Sequence, residues 1–174
     1  MIEALKEKIR KVPDFPKKGI VFLDITTAIK DPVALNQMID YLYETYKDKN
    51  IDYVAGVESR GFIFGAPLAC KLNAGFIPVR KPNKLPAETI SETYELEYGT
   101  DKIEIHKDAV EAGKRVLVID DLLATGGTAK AACNLFKKVG AEVVSAAFII
   151  EICELGGAKK IEETGVEVVS MLKF

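Results

Sequence analysis

Two adjacent carboxylates, Asp120 and Asp121, stand between an unbroken aliphatic run, Val116 to Ile119, and the turn Ala124-Thr-Gly-Gly-Thr128 that opens an alanine-rich stretch. The aliphatic run suits a central parallel strand, and the segment from Gly127 suits a helix returning along the sheet. Such a turn lies at the carboxyl end of its strand, where the new helix offers unpaired N–H groups and the positive end of its dipole. Gly126 and Gly127 permit left-handed backbone and close approach of an oxyanion, and Thr125 and Thr128 add hydroxyls to the cradle. A phosphate fits there. Two acids beside it would repel it, so they make sense as acceptors for sugar hydroxyls or as partners of a nearby cation. Together these residues specify a ribose 5-phosphate. Neither the Walker pattern nor the dinucleotide glycine pattern occurs around residues 120 to 130.

A second strand-loop-helix unit has the same logic. The apolar run Tyr53 to Val57 leads into Glu58-Ser-Arg-Gly61 and then a helix. Arg60 presents a forked set of donors suited to phosphate oxygens, and Ser59 with nearby N–H groups completes a diphosphate cradle. The segment Val79 to Ile90 holds two prolines and several charges, too many for a regular element, and its Lys81 and Lys84 reach outward as mobile cations. From Thr93 to His106 apolar and polar residues alternate around a Gly99-Thr100-Asp101 turn, a hairpin signal that puts Tyr94, Leu96 and Tyr98 on one face and Glu95 and Glu97 on the other. His106, the sole histidine, reads as structural at the hairpin end. Near the amino terminus, Pro16 and Gly19 give turn signals before the extended stretch from Ile20 to Thr27.

On these residues the chain resembles the type I phosphoribosyltransferases, whose signature for phosphoribosyl pyrophosphate (PRPP) matches Asp120 to Thr128; the middle of that signature is closest to the adenine-using branch. The resemblance spans nearly the whole chain. It implies transfer of the 5-phosphoribosyl group from PRPP to adenine, giving AMP and pyrophosphate in purine salvage. Ser59 and Arg60 would form the pyrophosphate loop, with a cis peptide at Glu58–Ser59, and Lys81 and Lys84 would join them. Asp120 and Asp121 would hold the ribose, and Ala124, Thr125, Gly126, Gly127 and Thr128 the 5-phosphate. Glu97 would be the acid/base group beside Tyr98 in a mobile flap. Backbone groups near Val21 would read the purine edge, with Phe22 stacked on one face and Leu122 on the other. The family usually carries a basic residue where this chain has Leu23. Magnesium would arrive bound mainly to PRPP, and a homodimer is implied. Two rivals are a transferase for xanthine or another purine and a non-enzymatic PRPP-sensing regulator. The second generally needs an appended nucleic-acid-binding domain.

The elements that would position these groups alternate along the chain. Helical periodicity runs through Ile2, Leu5, Ile9 and Val12, from Pro32 to Tyr46, and over 61–73, 127–138 and 155–163; further strands fall near 75–79, 142–150 and 166–171. That order predicts an α/β fold, a mainly parallel central sheet flanked by helices. With 174 residues and 48% hydrophobic content, one domain spanning 1–174 is expected, with a hood over 1–30 and a mobile loop and hairpin over 80–107. A net charge of −2 argues against a general nucleic-acid or anionic-membrane surface. Cys70, Cys133 and Cys153 are odd in number and widely spaced, which points to a reducing compartment. No secretory signal is read, and no apolar run approaches the roughly 18 residues of a membrane span. A cytoplasmic protein follows.

Overall fold

The chain, as a computed structural model, is described at residues 2–96 and 99–174. In order it forms α1 (Ile2–Glu7), β1 (Arg10–Pro13), β2 (Val21–Asp24), α2 (Thr26–Ile29), α3 (Pro32–Tyr46), β3 (Tyr53–Val57), α4 (Gly61–Leu72) and β4 (Gly75–Val79). Then follow β5 (Thr89–Glu95), β6 (Thr100–His106), β7 (Arg115–Leu123), α5 (Gly127–Lys138), β8 (Glu142–Glu151), a 3-10 turn (Cys153–Leu155), α6 (Gly157–Glu162) and β9 (Glu167–Lys173).

The aliphatic runs meet in one parallel sheet of order β4-β3-β7-β8-β9, with Ala55 beside Val118 and Gly56 beside Ile119. Side chains of β7 alternate between two cores. Val116 and Val118 pack with α5 and the β5–β6 hairpin, whereas Leu117 and Ile119 pack with α3 and α4. Both faces are covered, which is why the central strands read as continuous apolar runs. Local chemistry sets α3: Asp31 accepts from Val33 N at 2.9 Å and Ala34 N at 3.1 Å, and Pro32 takes the first helical position. Its stripe Ala34, Met38, Ile39, Leu42 and Tyr46 is buried. Phe76 of β4 lies so close to β3 and α4 that a Cβ on Gly56 or Gly65 would come within 2.8 Å of its ring.

The predicted α/β class holds, and the helices at 32–46 and 127–138 keep those bounds. Four local expectations are corrected. The first helix stops at Glu7: Leu5 and Ile9 are both buried, but Arg10 to Pro13 instead pairs antiparallel with Val21 to Asp24, and Pro13 disfavours helix in the residue before it. The strand at 116–119 continues to Leu123, so Asp120 and Asp121 lie on β7 and not in the turn. The helix predicted over 155–163 is a 3-10 turn followed by the shorter α6. The hairpin pairs from Thr89↔His106 to Glu95↔Thr100, so Thr100 and Asp101 already belong to β6. Leu96 lies beyond the strand end and is 49% exposed, while Tyr94 is buried and Glu95 exposed as expected. Among the described residues no helix is long and apolar enough to cross a membrane.

Candidate active site

In the strand order, the chain leaves β3 to build β4 on one side and later returns to build β7 on the other. The crevice outside the carboxyl ends of two such strands is where open α/β sheets take ligands. Both predicted loops are there. β3 runs into Glu58-Ser59-Arg60, whose Glu58–Ser59 peptide is cis, and β7 runs into the turn before α5. Arg60 Nε donates to Asp121 Oδ2 in a close ion pair, tying one loop to the other strand. The backbones also touch: a Cβ on Gly61 would lie 2.8 Å from the Ile119 carbonyl oxygen.

The paired acids differ. Asp121 is only 4% exposed and is turned to Arg60. Asp120 is half-buried, accepts from Asp121 N at 2.8 Å, and lines a cavity of about 110 Å³ with Leu122 and the turn 124–128. Burial, reinforced by the negative charge of Asp121, pushes the Asp120 carboxyl well above the usual carboxylate range. A positive charge arriving beside it favours the ionised form again. In the turn, Gly126 has φ 78° and no side chain caps α5, so its first N–H groups face the cavity without a side-chain acceptor. A Cβ on Gly126 would meet the Gly157 carbonyl oxygen at 2.7 Å, and one on Gly157 would meet the Ala124 carbonyl oxygen at 2.3 Å. The cradle is therefore closed from behind by the start of α6.

A second cavity, about 380 Å³, lies under the β1–β2 ribbon, with Phe15, Phe22, Leu23, Asp24, Thr26 and Arg60 in its wall. Arg60 thus joins the base-sized apolar cavity to the acids. The Phe15 and Phe22 rings meet edge to face with centroids 5.2 Å apart. Asp24 accepts from Thr26 Oγ1 at 2.7 Å and Thr26 N at 2.9 Å, and from Arg10 Nε at 2.9 Å. The Thr26 bonds, then Arg10, hold its carboxyl down to about 2. Val21 is 53% exposed and Leu122 lines the smaller cavity, so neither side chain is in this wall. Phe15, Asp24 and Thr26 were missed by sequence reasoning; the Asp-x-Thr spacing, a common side-chain-to-backbone turn signal, was the available clue.

The lysine segment is anchored at its start. Glu58 accepts from Lys81 N at 2.8 Å and Arg80 Nε at 3.2 Å; burial pushes its carboxyl up, and these bonds outweigh that and leave it below the usual range. The Lys81 ammonium turns to Tyr94 and Asp101 of the hairpin. Lys84 is exposed, and its carbonyl accepts from Arg80 Nη1 at 3.4 Å. Ser59 is exposed at the loop. His106 Nε2 accepts from Ala87 N at 3.3 Å, a structural bond. Glu97 and Tyr98 lie outside the described residues.

A phosphate cradle, an acid pair and a guanidinium at the switch point of a parallel sheet define a site for a phosphorylated sugar. Residues 26–171 match the phosphoribosyl transferase domain, and the chain belongs to that family. Its relatives narrow the class. An adenine phosphoribosyltransferase of Halothermothrix orenii is 56% identical over 97% of this chain and 98% of its own. The crystal structure of adenine phosphoribosyltransferase from Thermoanaerobacter pseudethanolicus superposes with a TM-score of 0.95 at 52% identity, covering 100% of both chains. That of the Saccharomyces cerevisiae enzyme, complexed with an imino-altritol bisphosphate and adenine, gives 0.91 at 40% identity over 98% of each chain.

Proposed function

We propose that this chain is an adenine phosphoribosyltransferase, joining adenine to the 5-phosphoribosyl group of PRPP with release of pyrophosphate. One observation carries the reading: Arg60 stands in the wall of an apolar cavity large enough for a purine and is ion-paired to the acid beside the phosphate cradle. The base and the sugar phosphate would then share one boundary.

In this reading the N–H groups of 126–128, with Thr125 and Thr128, hold the 5-phosphate, and Asp120 accepts from the ribose hydroxyls. Asp121 orients Arg60 toward the pyrophosphate, with Ser59, Lys81 and Lys84 completing that end. Loss of pyrophosphate leaves oxocarbenium-like charge on the ribose, which the neighbouring carboxylates favour. Phe22 and Leu23 pack against adenine, backbone near Val21 reads its edge, Leu122 bounds it on the sugar side, and Glu97 removes its proton. Magnesium would arrive bound mainly through PRPP oxygens. It would supply charge neutralisation of the leaving group beside Arg60.

A homodimer fits the outer face of α4, where Ile63, Pro67 and Cys70 are exposed together at helical spacing. Three free cysteines fit a reducing cytoplasm. The deciding experiment supplies PRPP and magnesium with adenine, hypoxanthine or xanthine in turn and measures nucleotide and pyrophosphate. Turnover with adenine is expected; product from xanthine or hypoxanthine alone would replace the substrate assignment.

A further inference from the structure

Lys81 is held at its two ends by different parts of the molecule. Its backbone N–H donates to the Glu58 carboxylate at 2.8 Å, which ties it to the residue that opens the Glu58-Ser59-Arg60 loop. Its ammonium points elsewhere, donating to the Tyr94 hydroxyl at 2.8 Å and to the Asp101 carboxylate, and lying 5.4 Å from the centre of the Tyr94 ring. Tyr94 also donates to Asp101 at 3.1 Å. The same ring presses on the start of α5: a Cβ on Gly127 would lie 3.5 Å from it and 3.5 Å from the Glu95 carbonyl oxygen. The cation that begins beside the diphosphate loop therefore ends on the hairpin that covers the phosphate turn.

A lysine ammonium is a compact charge on a flexible stem, and it swings between anions within reach. An anion seated at Ser59 and Arg60 competes with Asp101 for it. The lysine and aspartate side chains are 39% and 32% exposed, so the pair is of the weak, exchangeable kind.

We infer that Asp101 is a positioning residue, the resident counter-ion of Lys81, which the pyrophosphate group of PRPP displaces on binding. The inference rests on the assignment of Lys81 to pyrophosphate. It makes the hairpin and the substrate rivals for one cation, and capture of PRPP detaches Lys81 from Asp101. Apparent affinity then falls in proportion to the fraction of molecules whose Lys81 is free. For a pair this exposed the penalty is about two- to fivefold.

Asp101→Asn keeps the side-chain size and the 2.8 Å bond that Oδ1 accepts from Lys102 N, while removing the charge. PRPP, and separately magnesium pyrophosphate, is titrated calorimetrically into wild type, Asp101→Asn, Lys81→Gln and the double variant. Asp101→Asn is expected to tighten both ligands by about two- to fivefold, and to do nothing in the Lys81→Gln background. A purely structural role, or a general change in surface charge, would act alike in both backgrounds. Weakened or unchanged binding in Asp101→Asn overturns the inference, as does an equal gain without Lys81. Should the wild type bind pyrophosphate with this coupling yet fail to use adenine, the substrate reading falls and the counter-ion role stands. Failure of the folded wild type to bind either ligand removes the role.

Discussion

The carboxyl end of the sheet and the β1–β2 ribbon, the two halves of the proposed site, are built in opposite ways. At the sheet end, backbone meets backbone: Gly61 against Ile119, Gly126 against Gly157, with Asp121 buried under Arg60. The close contacts there are between main-chain atoms, which cannot be relieved by a change of rotamer. The ribbon has only two short strands, its aromatic tip Phe15 is 50% exposed, and its cavity is lined by Val12, Phe15, Phe22 and Leu23. In the proposed reading an anion site built on main chain faces a more compliant apolar one, with catalytic positioning assigned to the first and choice among bases to the second.

That contrast sets the order of expected effects. The largest belongs to Glu97, the proposed acid/base group: Glu97→Gln lowers the single-turnover rate by roughly 100- to 10,000-fold with PRPP binding kept, if it is the general base. A wild-type rate would leave it as a solvated face residue. Next come Asp120→Asn and Asp121→Asn, each costing about 100- to 1,000-fold in kcat/KM. Asp121→Asn also loosens Arg60, so its pyrophosphate affinity drops, whereas that of Asp120→Asn holds. Equal losses of pyrophosphate affinity would show that the two acids act alike after all.

On the compliant side the effects are small. Leu23 lines the large cavity, so Leu23→Arg adds a charged donor there and lowers the KM for adenine by at most about tenfold. Michaelis constants for adenine, hypoxanthine and xanthine in both proteins check it. A loss as deep as that of Asp120→Asn would erase the contrast between the two ends. Smallest is a pH effect at Asp24. Its carboxyl is lowered from 3.8 to about 2, so the stability it contributes is present above pH 3.8 and is lost as pH falls toward 2. Thermal unfolding of Asp24→Asn should therefore differ from wild type near neutrality and converge with it as pH approaches 2. A difference that persists there would mean that Asp24 acts by shape and not by charge.

Legibility in the sequence followed the same division. The run from Val116 to Thr128 declared itself because strand, acids, glycines and helix are consecutive, and each residue type has a local reason. What local chemistry does not contain is pairing at a distance. Arg60 and Asp121 are 61 residues apart, and only the switch in strand order makes them neighbours. Lys81 was readable as a mobile cation, but its partner Asp101 depends on the register of the hairpin, which begins at Thr89 and not at Thr93. The ribbon was hardest to read: the spacing of Leu5, Ile9 and Val12 mimics a helix, yet burial of Leu5 and Ile9 is met with the strand β1 in place of its last turn.

The glycine contacts divide the chain into positions that tolerate second-site repair and positions that do not. At Gly65 the close neighbours are side chains, the Phe76 ring at 2.8 Å and Ile119 Cγ2 at 3.1 Å, so an added methyl group is relieved by trimming them. At Gly126 the neighbour is main chain, and at Gly157 the Ala124 carbonyl oxygen stands 2.3 Å from the added carbon beside Leu123 Cδ1 at 2.8 Å, so trimming that side chain leaves the main-chain clash in place. A suppressor screen begun from Gly65→Ala has somewhere to go. One begun from Gly157→Ala has only reversion, and sequence drift at these two positions is closed to the lineage for as long as the phosphate turn keeps its shape.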